Sequence, residues 1–505
     1  MLGGAGLLGL AVFYMMHRAL VDDAYITLVQ VRTLAEHGQW GLIPGHQSNT
    51  ATSPLNVLVL AAVTLVVRDP VVATGVVYVA TSVGLAWALT DLGRSTGTGL
   101  RLAVVGTPLL LLNPLLASTM GLETNLAVTL VMSLTAAAAR GSVRGFGLLG
   151  GALLLTRLDL VVVVGVLAVA TPAVRRRLGA AAGWATLVCL PWFMFSWVVL
   201  GSVVPDTLLI KQDAHWGNLA TALFTRYDHP YKLAVVGATT AAAIGLVALA
   251  AWPWWRRWRE VPASGAVAAT GLAGIAYLLT FKVLGVPPFF WYYGVPLACL
   301  SVCAATLACA LPLRWSTRWA RLAGFAVAAA GLSPMLLSWT LDAGHVPLAG
   351  ALVRGNWALP GQYARIGERL PHLVGNLPVH SPGEIGDLLF HCNCTMVDKF
   401  SDRALLAPAI EQRQDSSWLY RLNYLWLDPS TLHRIRTPLR LAWQRGPDRA
   451  APGWDVSGPQ RGQGHLALLP STRLSGLSDP TRTVIVIGSQ PARGQPRAAP
   501  RHHGK

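Results

Sequence analysis

Two adjacent carboxylates, Asp22 and Asp23, are the side chains of this sequence best suited to acid–base chemistry. They follow directly after the first apolar run, residues 2–20. An ionised side chain is costly in hydrocarbon, so the pair must face water, a cavity or a cation. A carboxylate in such a place can take a proton from a hydroxyl group. Alternatively, the pair caps the helix that follows and complements its positive N-terminal end.

Basic side chains on the predicted outer face of the membrane are candidates for holding the charge of a phosphate. These candidates are Arg32, His46, Arg157, Lys211 and Lys282. A lysine near an apolar run can also extend its ammonium group to lipid headgroups, and this is the simpler explanation for Lys211 taken alone. A phosphate site therefore requires the fold to bring these cations to the acid pair.

A group of aromatic residues lies at the start of the tenth apolar run. Trp291, Tyr292 and Tyr293 could shape a groove for a sugar or a lipid, although such residues are also typical of the aromatic belt at a membrane interface. Glu123 lies in a short turn between two apolar runs, on the same predicted side of the membrane. We expect these four residues to line a substrate groove.

The composition indicates a polytopic membrane protein. Charged residues make up 12% of the 505 residues and apolar residues 53%, whereas a soluble domain has about 25% charged residues. The mean hydropathy is +0.48. The formal net charge is +17, but the arginines form short clusters between apolar runs, as in cytoplasmic loops. This pattern favours contact with membrane lipids and argues against a nucleic-acid partner.

Eleven apolar runs define the predicted topology. They are residues 2–20, 54–67, 71–90, 102–117, 126–139, 146–171, 178–200, 233–252, 262–281, 290–311 and 320–341. All arginine clusters between them are cytoplasmic if run 54–67 stays at the interface or re-enters, and if run 146–171 crosses twice with Arg157 near its outer turn. The result is about eleven transmembrane helices, with the N-terminus inside and the C-terminus outside.

This topology divides the chain into three regions. Residues 1–341 form the membrane domain, whose first external loop, 22–53, begins with an amphipathic stretch expected to lie on the membrane surface. Residues 342–487 have a mixed polar composition with strand-like runs such as 483–487, which predicts a soluble α/β domain on the outer side. Residues 488–505, rich in Pro, Gly and Arg, are predicted to be disordered.

The six cysteines fall into two groups. Cys392 and Cys394 lie outside the apolar runs, and their spacing does not match a zinc site. In an oxidising compartment we expect a local disulfide between them. The other four lie within apolar runs and are expected to be packing residues.

A carboxylate facing basic groups at the outer leaflet fits one reaction class well. Transfer of a sugar from a lipid phosphate needs a base to deprotonate the acceptor hydroxyl. It also needs cations or a metal to hold the charge of the leaving phosphate. A lipid tail that enters sideways between helices would explain why such an enzyme is embedded in a membrane.

Six short motifs, in the same order along the chain, resemble those of the actinobacterial GT-C membrane arabinofuranosyltransferases, most closely the terminal arabinofuranosyltransferase branch. They are Asp22-Asp-Ala-Tyr-Ile-Thr27, Gly121-Leu-Glu-Thr124, Thr156-Arg-Leu-Asp159, Gly201-Ser-Val-Val-Pro-Asp-Thr207, Trp291-Tyr-Tyr293, and Gly383-Glu-Ile-Gly386 with Val397-Asp398. No single motif is decisive, but together they span residues 22–398.

The resemblance implies a GT-C fold in the plasma membrane and a polyprenyl-phosphate donor, decaprenylphosphoryl arabinose. It implies that Asp22 or Asp23 is the catalytic base and that an outer C-terminal domain helps to hold a glycan acceptor, a cell-wall polysaccharide or lipoglycan. It adds Glu384 to the substrate groove. Some GT-C enzymes use a divalent cation at the paired acid; the sequence permits this at Asp22 and Asp23, and requires no cofactor.

The first external loop departs from the family pattern. Val29-Gln30 stand where the family carries Arg-Tyr, and the stretch 45–53 has lost two acids and a tyrosine. These changes leave the donor sugar and the acceptor open, and they keep a non-catalytic relative in cell-wall assembly as an alternative. A transporter of lipid-linked sugars is the other alternative. It would require repeat symmetry and ionisable residues near the bilayer midplane, and the sequence indicates neither.

Overall fold

The computed structural model describes residues 1–212, 231–284, 289–314, 318–341, 346–353, 356–445, 452–458 and 462–471. The strand-like run 483–487 and the tail 488–505 lie outside the described residues, so their structures stay predictions. We call residues 1–341 the membrane part and residues 346–471 the C-terminal part.

The membrane part is helical. Its helices are α1 (Leu2–Met16), α2 (Asp22–His37), α3 (Pro54–Val67), α4 (Pro70–Thr96), α5 (Leu100–Leu111), α6 (Pro114–Ala117), α7 (Thr124–Ala139), α8 (Val143–Thr156), α9 (Val161–Ala170), α10 (Pro172–Arg175), α11 (Leu178–Val199), α12 (Thr207–Gln212), α13 (Tyr231–Ala251), α14 (Arg256–Arg259), α15 (Ser264–Val283), α16 (Gly294–Arg314) and α17 (Arg318–Leu341). Short 3-10 turns at Leu158–Leu160 and Phe290–Tyr293 precede α9 and α16.

Among the described residues, six helices are long and apolar enough to cross a membrane: α4, α11, α13, α15, α17, and α16 with the 3-10 turn before it. Shorter apolar helices of 10–17 residues include α1, α3, α5, α7 and α8. The chain is therefore a multi-pass helical membrane protein, as predicted. The total of about eleven crossings stays a prediction.

The long apolar run 146–171 is divided at Arg157, as predicted. Helix α8 ends at Thr156, the 3-10 turn follows, and α9 begins at Val161. Arg157 itself has extended backbone angles (φ −158°, ψ 125°), which end the helix. The break places a charged side chain at the end of two short apolar helices, where polar partners can reach it.

Helices α8 and α11 pack closely because two glycines face the contact. A Cβ atom at Gly147 would lie 2.4 Å from the carbonyl oxygen of Ala181, and one at Gly151 would lie 2.5 Å from that of Ala185. Small residues four positions apart let helix backbones approach in a membrane, where packing rather than water exclusion drives association. This contact anchors α11 at one side of the bundle.

Helix α2 lies between two hydrophobic cores. Leu28 and Val31 are buried in the core of the membrane part, whereas Val29 and Leu42 belong to the core of the C-terminal part. The expectation that α2 lies on the membrane surface is wrong, because its apolar face is buried against protein. An amphipathic pattern identifies an apolar face but does not tell lipid from protein.

The C-terminal part combines helices with a mixed sheet. Its elements are α18 (Pro360–Val374), β1 (Val379–His380), α19 (Gly386–His391), β2 (Met396–Val397), α20 (Ala407–Ser416), α21 (Trp418–Asn423), β3 (Leu439–Arg445), β4 (Gly453–Gly458) and β5 (Gly462–Pro470). The strand order is β2-β1-β3-β5-β4. Strand β1 is parallel to β2 and β3, and β5 is antiparallel to β3 and β4. Helix α18 buries Tyr363, Ile366, Leu370 and Val374, at helical spacing, in the core that this sheet shares.

Candidate functional site

Stretches of chain that are distant in sequence converge on one cavity at the junction of the two parts. The cavity has a volume of about 260 Å³. It is lined by the start of α2, by α12, by residues 289–291 and by three segments of the C-terminal part. The polar side chains in its lining include Asp22, Asp23, Lys211, Asn356, Glu384 and Asp398. The first external loop and the C-terminal part, both predicted to be external, therefore meet at the acid pair.

Asp22 is bound by the backbone of the C-terminal part. Its Oδ2 accepts a hydrogen bond from the N–H group of Ile385 (3.1 Å) and its Oδ1 accepts one from Asp387 (2.8 Å). Its own N–H group donates to Oδ1 of Asn356 (2.8 Å). Asp22 thus caps α19, whereas the alternative interpretation had the acid pair capping the helix that it begins. Burial raises the pKa of Asp22 to about 8, although the Asp387 N–H group acts in the opposite direction.

Helix α2 also contacts the other end of α19. Nη1 of Arg32 donates to the carbonyl oxygen of Phe390 (2.8 Å), and Nη2 donates to that of Leu389 (3.4 Å). A carboxylate at the N-terminus of a helix and a guanidinium at its C-terminus both complement the helix dipole. Arg32, predicted to bind the donor phosphate, therefore joins two helices and does not line the cavity.

Asp23, the next residue, has a different environment. It lines the cavity near Lys211 and Glu123. Burial raises the pKa of Asp23, the Lys211 ammonium lowers it and the Glu123 carboxylate raises it, with a net increase from the usual value. A carboxylate with a raised pKa that faces open space and a cation has the properties of a general base.

Lys211 lies among aromatic rings. Its Nζ donates to the Tyr292 hydroxyl (2.9 Å) and lies 5.3–5.7 Å from the ring centroids of Phe289, Trp291 and Tyr292. Burial lowers the pKa of Lys211, but the Tyr292 hydroxyl and the Asp23 carboxylate outweigh this effect, so its pKa is raised. The headgroup interpretation of this lysine is wrong, because the ammonium group faces the cavity and stays charged there.

Arg157 is already neutralised by two carboxylates. Its Nη1 donates to Glu123 (2.7 Å), while Nε and Nη2 donate to the two oxygens of Asp159 (3.0 and 2.6 Å). The guanidinium lies over the Tyr292 ring, 4.9 Å from its centroid. Tyr277 donates to Asp159 (3.0 Å) from the other side. Arg157 and Glu123, predicted for phosphate and groove, therefore form a layer behind Tyr292 rather than the wall of the cavity.

The remaining predicted residues are divided between the cavity and other places. Trp291 lines the cavity and stacks on Phe289, with ring centroids 4.5 Å apart. Tyr293 is buried in the core of the membrane part. Lys282, at the end of α15, and His46, in the first loop, are exposed and are not among the lining residues. Both were predicted from their side of the membrane, which does not fix their distance from the acid pair.

The C-terminal part contributes an acidic wall. Oε2 of Glu384 accepts hydrogen bonds from the Trp357 N–H group (2.8 Å) and the Tyr363 hydroxyl (2.6 Å), and burial raises the pKa of Glu384 well above its usual value. Burial also raises the pKa of Asp398, to about 6. The motif with Val397 could have indicated Asp398, whereas nothing in the sequence indicates Asn356.

A buried ion pair connects α12 to the C-terminal part. Nε of Arg403 lies 2.9 Å from Oδ2 of Asp206, and its Nη2 donates to Oδ1 (3.0 Å). The Tyr424 hydroxyl donates to the same Oδ1 (3.1 Å). Asp206 directly precedes α12, and its carbonyl oxygen accepts the Leu209 N–H group (2.9 Å). Because α12 carries Lys211, this pair fixes the lysine relative to the acidic wall.

The acid pair does not fit a metal site made of protein side chains. Both oxygens of Asp22 accept backbone N–H groups and point to α19. In the part of the chain that the structure describes, no group of three or more His, Cys, Asp or Glu side chains is placed to hold a metal ion. A divalent cation, which the sequence permits, would need ligands from the substrate or water besides the Asp23 carboxylate.

Cys392 and Cys394 are joined by a disulfide directly after α19. Of the four cysteines predicted to be packing residues, Cys299, Cys303 and Cys309 are buried, and Cys189 is half-buried on α11. The disulfide is adjacent to His391, whose Nδ1 lies 2.9 Å from Oδ1 of Asp387. Both features stabilise the C-terminal end of the helix that Asp22 caps.

Neither the protein-family models nor the curated proteins compared with this sequence give a match. Among solved structures, ArnT from Cupriavidus metallidurans bound to undecaprenyl phosphate is similar, with a TM-score of 0.54 and 16% identity over 91% of this chain and 96% of ArnT. ArnT in the apo state has a TM-score of 0.51 and 15% identity over the same shares. The arabinofuranosyltransferase AftD from Mycobacteria has a TM-score of 0.45 and 16% identity over 82% of this chain and 33% of AftD, which adds nothing to the assignment. This chain therefore has the GT-C membrane fold found in ArnT.

Proposed function

We propose that this chain is a membrane glycosyltransferase that transfers a sugar from a polyprenyl phosphate to a glycan acceptor. The observation that carries the proposal is the cavity that holds Asp23, a candidate base, together with the cation Lys211. The fold supports this proposal, since the structure of the similar protein ArnT has been solved with undecaprenyl phosphate bound. In this proposal the lipid tail lies between the apolar helices and its phosphate reaches Lys211.

The two aspartates have separate tasks in this proposal. Asp23 is the base, because its carboxylate faces the cavity and Lys211 favours its ionised form. Asp22 is a positioning residue, because both of its oxygens accept N–H groups of the C-terminal part. Two neighbouring acids often have different tasks in catalysis when their environments shift their pKa values to different extents.

The proposed reaction has one bond formed and one broken. The acceptor hydroxyl gives its proton to Asp23, its oxygen bonds to the anomeric carbon of the donor sugar, and the bond from that carbon to the phosphate oxygen breaks. Lys211 stabilises the negative charge that develops on the leaving phosphate. The products are a glycoside, a polyprenyl phosphate and a protonated Asp23, which releases its proton to water.

The walls of the cavity suit an uncharged sugar. Glu384 and Asp398 offer carboxyl groups to sugar hydroxyls, and the Trp291 ring gives an apolar surface for the sugar ring. We propose arabinofuranose as the donor sugar on the resemblance of the six motifs, and a cell-wall polysaccharide or lipoglycan as the acceptor. The disulfide Cys392–Cys394 supports an extracytoplasmic C-terminal part of a plasma-membrane protein, because such bonds persist in oxidising compartments.

Transfer from polyprenylphosphoryl arabinose to a short arabinan, in detergent, tests the proposal. We expect Asp23→Asn to lower turnover by about 10²–10⁴-fold, the usual contribution of a general base, with donor binding retained. Asp22→Asn keeps a carbonyl oxygen for one N–H group but turns an amide N–H₂ toward the other. We expect it to cost about 1–3 kcal/mol of stability, measured by thermal unfolding, and to reduce turnover less than Asp23→Asn.

Other results would separate the alternatives. Wild-type turnover in the Asp23→Asn variant would exclude Asp23 as the base. Wild-type protein that binds the arabinose donor without turning it over would indicate a non-catalytic relative. Turnover with another polyprenylphosphoryl sugar, but not with arabinose, would retain the enzyme class and correct the sugar.

A further inference from the structure

A group of exposed apolar side chains projects from the C-terminal part. It consists of Trp418, Leu419, Leu422, Leu425 and Trp426, on α21 and the turn after it, and we call it the apolar ridge. These side chains are 47–66% exposed, although each is large and apolar. Large contiguous apolar patches on a protein surface mark sites that contact another apolar phase.

The opposite side of the same segment is also apolar. Tyr424 is buried with Leu209, Leu406 and Ile410 in a small core, and Tyr420 packs against it. A helix that packs one side in a core usually has polar residues on the side that faces water. This segment has apolar residues on both sides. Among the described residues nothing covers the outer side of the ridge, so we expect an apolar partner there.

The apolar ridge is attached to the end of the transmembrane helix α11. Nε1 of Trp197 donates to the carbonyl oxygen of Leu422 (2.9 Å), and its ring lies edge-on to that of Trp426, with centroids 6.3 Å apart. The Val204 N–H group, just beyond α11, donates to the side chain of Asn423 (2.8 Å). These bonds hold the ridge at the level where α11 leaves the bilayer.

Helix α11 is the most exposed of the six candidate spans, with only 6% of its apolar window buried in the protein. Its last turns present Met194, Phe195, Val198 and Val199 at the surface. Apolar side chains on a transmembrane helix that no protein covers face lipid. The lipid-facing surface of α11 therefore continues, through Trp197, into the ridge.

We propose that the apolar ridge inserts into the interfacial region of the bilayer leaflet next to the C-terminal part. Tryptophan is the residue typical of that depth, where its ring is apolar and its N–H group meets headgroups. Arg421, exposed on α21, suits the lipid phosphates beside it. The occupant of this surface is thus lipid.

The ridge then acts as an anchor for the cavity. Tyr424 lies between the ridge residues in sequence and donates to Asp206 (3.1 Å), which directly precedes α12 and pairs with Arg403. Lipid contact at the ridge would hold this network, and hence Lys211, at a constant height above the bilayer. This inference does not depend on the proposed reaction.

A site-directed fluorescent label tests the insertion. In a Cys189→Ala background, Leu419→Cys is labelled with an environment-sensitive dye, and the full-length protein is reconstituted into phosphatidylcholine vesicles with and without brominated chains. Gln412→Cys, exposed on the neighbouring α20, is the matched control. We expect the Leu419 label to show a blue-shifted emission and quenching by brominated lipid, and the Gln412 label to be quenched by aqueous iodide.

Two results would overturn the inference. Equal iodide quenching of the two labels would show that the ridge faces water. Protection of the Leu419 label from iodide without quenching by brominated lipid would show that protein covers it, such as a second copy of the chain. Because both replaced side chains are exposed, the variants are expected to fold, and an unchanged thermal unfolding temperature checks this.

Discussion

At the scale of residues, the adjacent Asp22 and Asp23 have different environments because their side chains face different parts of the molecule. Asp22 points to backbone N–H groups at the start of α19. Asp23 points to the cavity, where Lys211 favours its ionised form and Glu123 opposes it. Burial raises the pKa values of both aspartates. A side-chain cation, Lys211, shifts only the pKa of Asp23. Charge partners, rather than burial, thus distinguish Asp23, the proposed base, from Asp22, the proposed positioning residue.

The pH dependence of turnover should report this arrangement. Because burial raises the pKa of Asp23, we expect kcat/KM to fall on acidification above the pH at which a free aspartate protonates. Lys211→Met removes the cation that lowers this pKa, so the acidic limb should move to higher pH. The same variant should lower turnover about 10²–10³-fold, as for other groups that stabilise developing charge.

Glu123→Gln provides the opposite test in the same assay. It removes an anion that raises the pKa of Asp23, so the acidic limb should move to lower pH. The amide oxygen of the glutamine can still accept the hydrogen bond from Arg157. Movement of the limb in the same direction in both variants would show that lost structure, rather than charge, causes the change.

At the scale of elements, the junction depends on α2 and α19 lying in contact. Asp22 binds the N-terminal end of α19 and Arg32 binds its C-terminal end. Gly386 allows this contact, since a Cβ atom there would lie 2.0 Å from the Asp22 carbonyl oxygen and 2.7 Å from the Ile26 nitrogen. The position of Asp23, the proposed base, therefore depends on a glycine that is distant from it in sequence.

Gly386→Ala should separate these helices. The added methyl group meets backbone atoms, which cannot rotate away as a side chain can, so we expect a loss of about 1–3 kcal/mol in the free energy of unfolding. Thermal unfolding in detergent measures the loss, and turnover should fall with it. Gly361→Ala on α18 is the control, because a Cβ atom there would meet nothing within 4 Å. Equal effects in the two variants would contradict the close-contact explanation.

At the scale of the whole molecule, the cavity is enclosed by both parts of the chain. The membrane part supplies Asp23, Lys211 and the aromatic residues, and the C-terminal part supplies Glu384 and Asp398. The buried Asp206–Arg403 pair joins the two parts, and removing one partner of such a pair usually costs about 3–5 kcal/mol. The proposed reaction needs this whole surface on the outer side of the membrane.

Cysteine accessibility in intact cells tests that orientation. In a Cys189→Ala background, a membrane-impermeant maleimide should label Gln412→Cys, which is exposed on α20. It should label Arg176→Cys, exposed in the arginine cluster predicted to be cytoplasmic, only after the cells are permeabilised. The reverse pattern would place the cavity in the cytoplasm and would contradict transfer at the outer face.

The sequence alone determined those features that depend on local composition. Hydropathy identified the apolar helices, a charged residue marked the break at Arg157, and paired acids beside an apolar run marked the site. These signals are local because burial of an apolar helix in membrane or protein depends mainly on its own side chains. The GT-C fold was predicted from the resemblance of six short motifs in the same order, four of which lie at the ends of such helices.

Only the tertiary structure decided which partner each charged group has. The N–H groups that bind Asp22 lie 363 and 365 positions away, and the carboxylate that pairs with Arg403 lies 197 positions away. The fold gives Asp22 and Asp23 different partners and buries α2 between two cores. It also pairs Arg157 with carboxylates and leaves His46 and Lys282 at the surface. Electrostatic and hydrogen-bond energies depend on distances across the fold, and sequence spacing does not contain those distances.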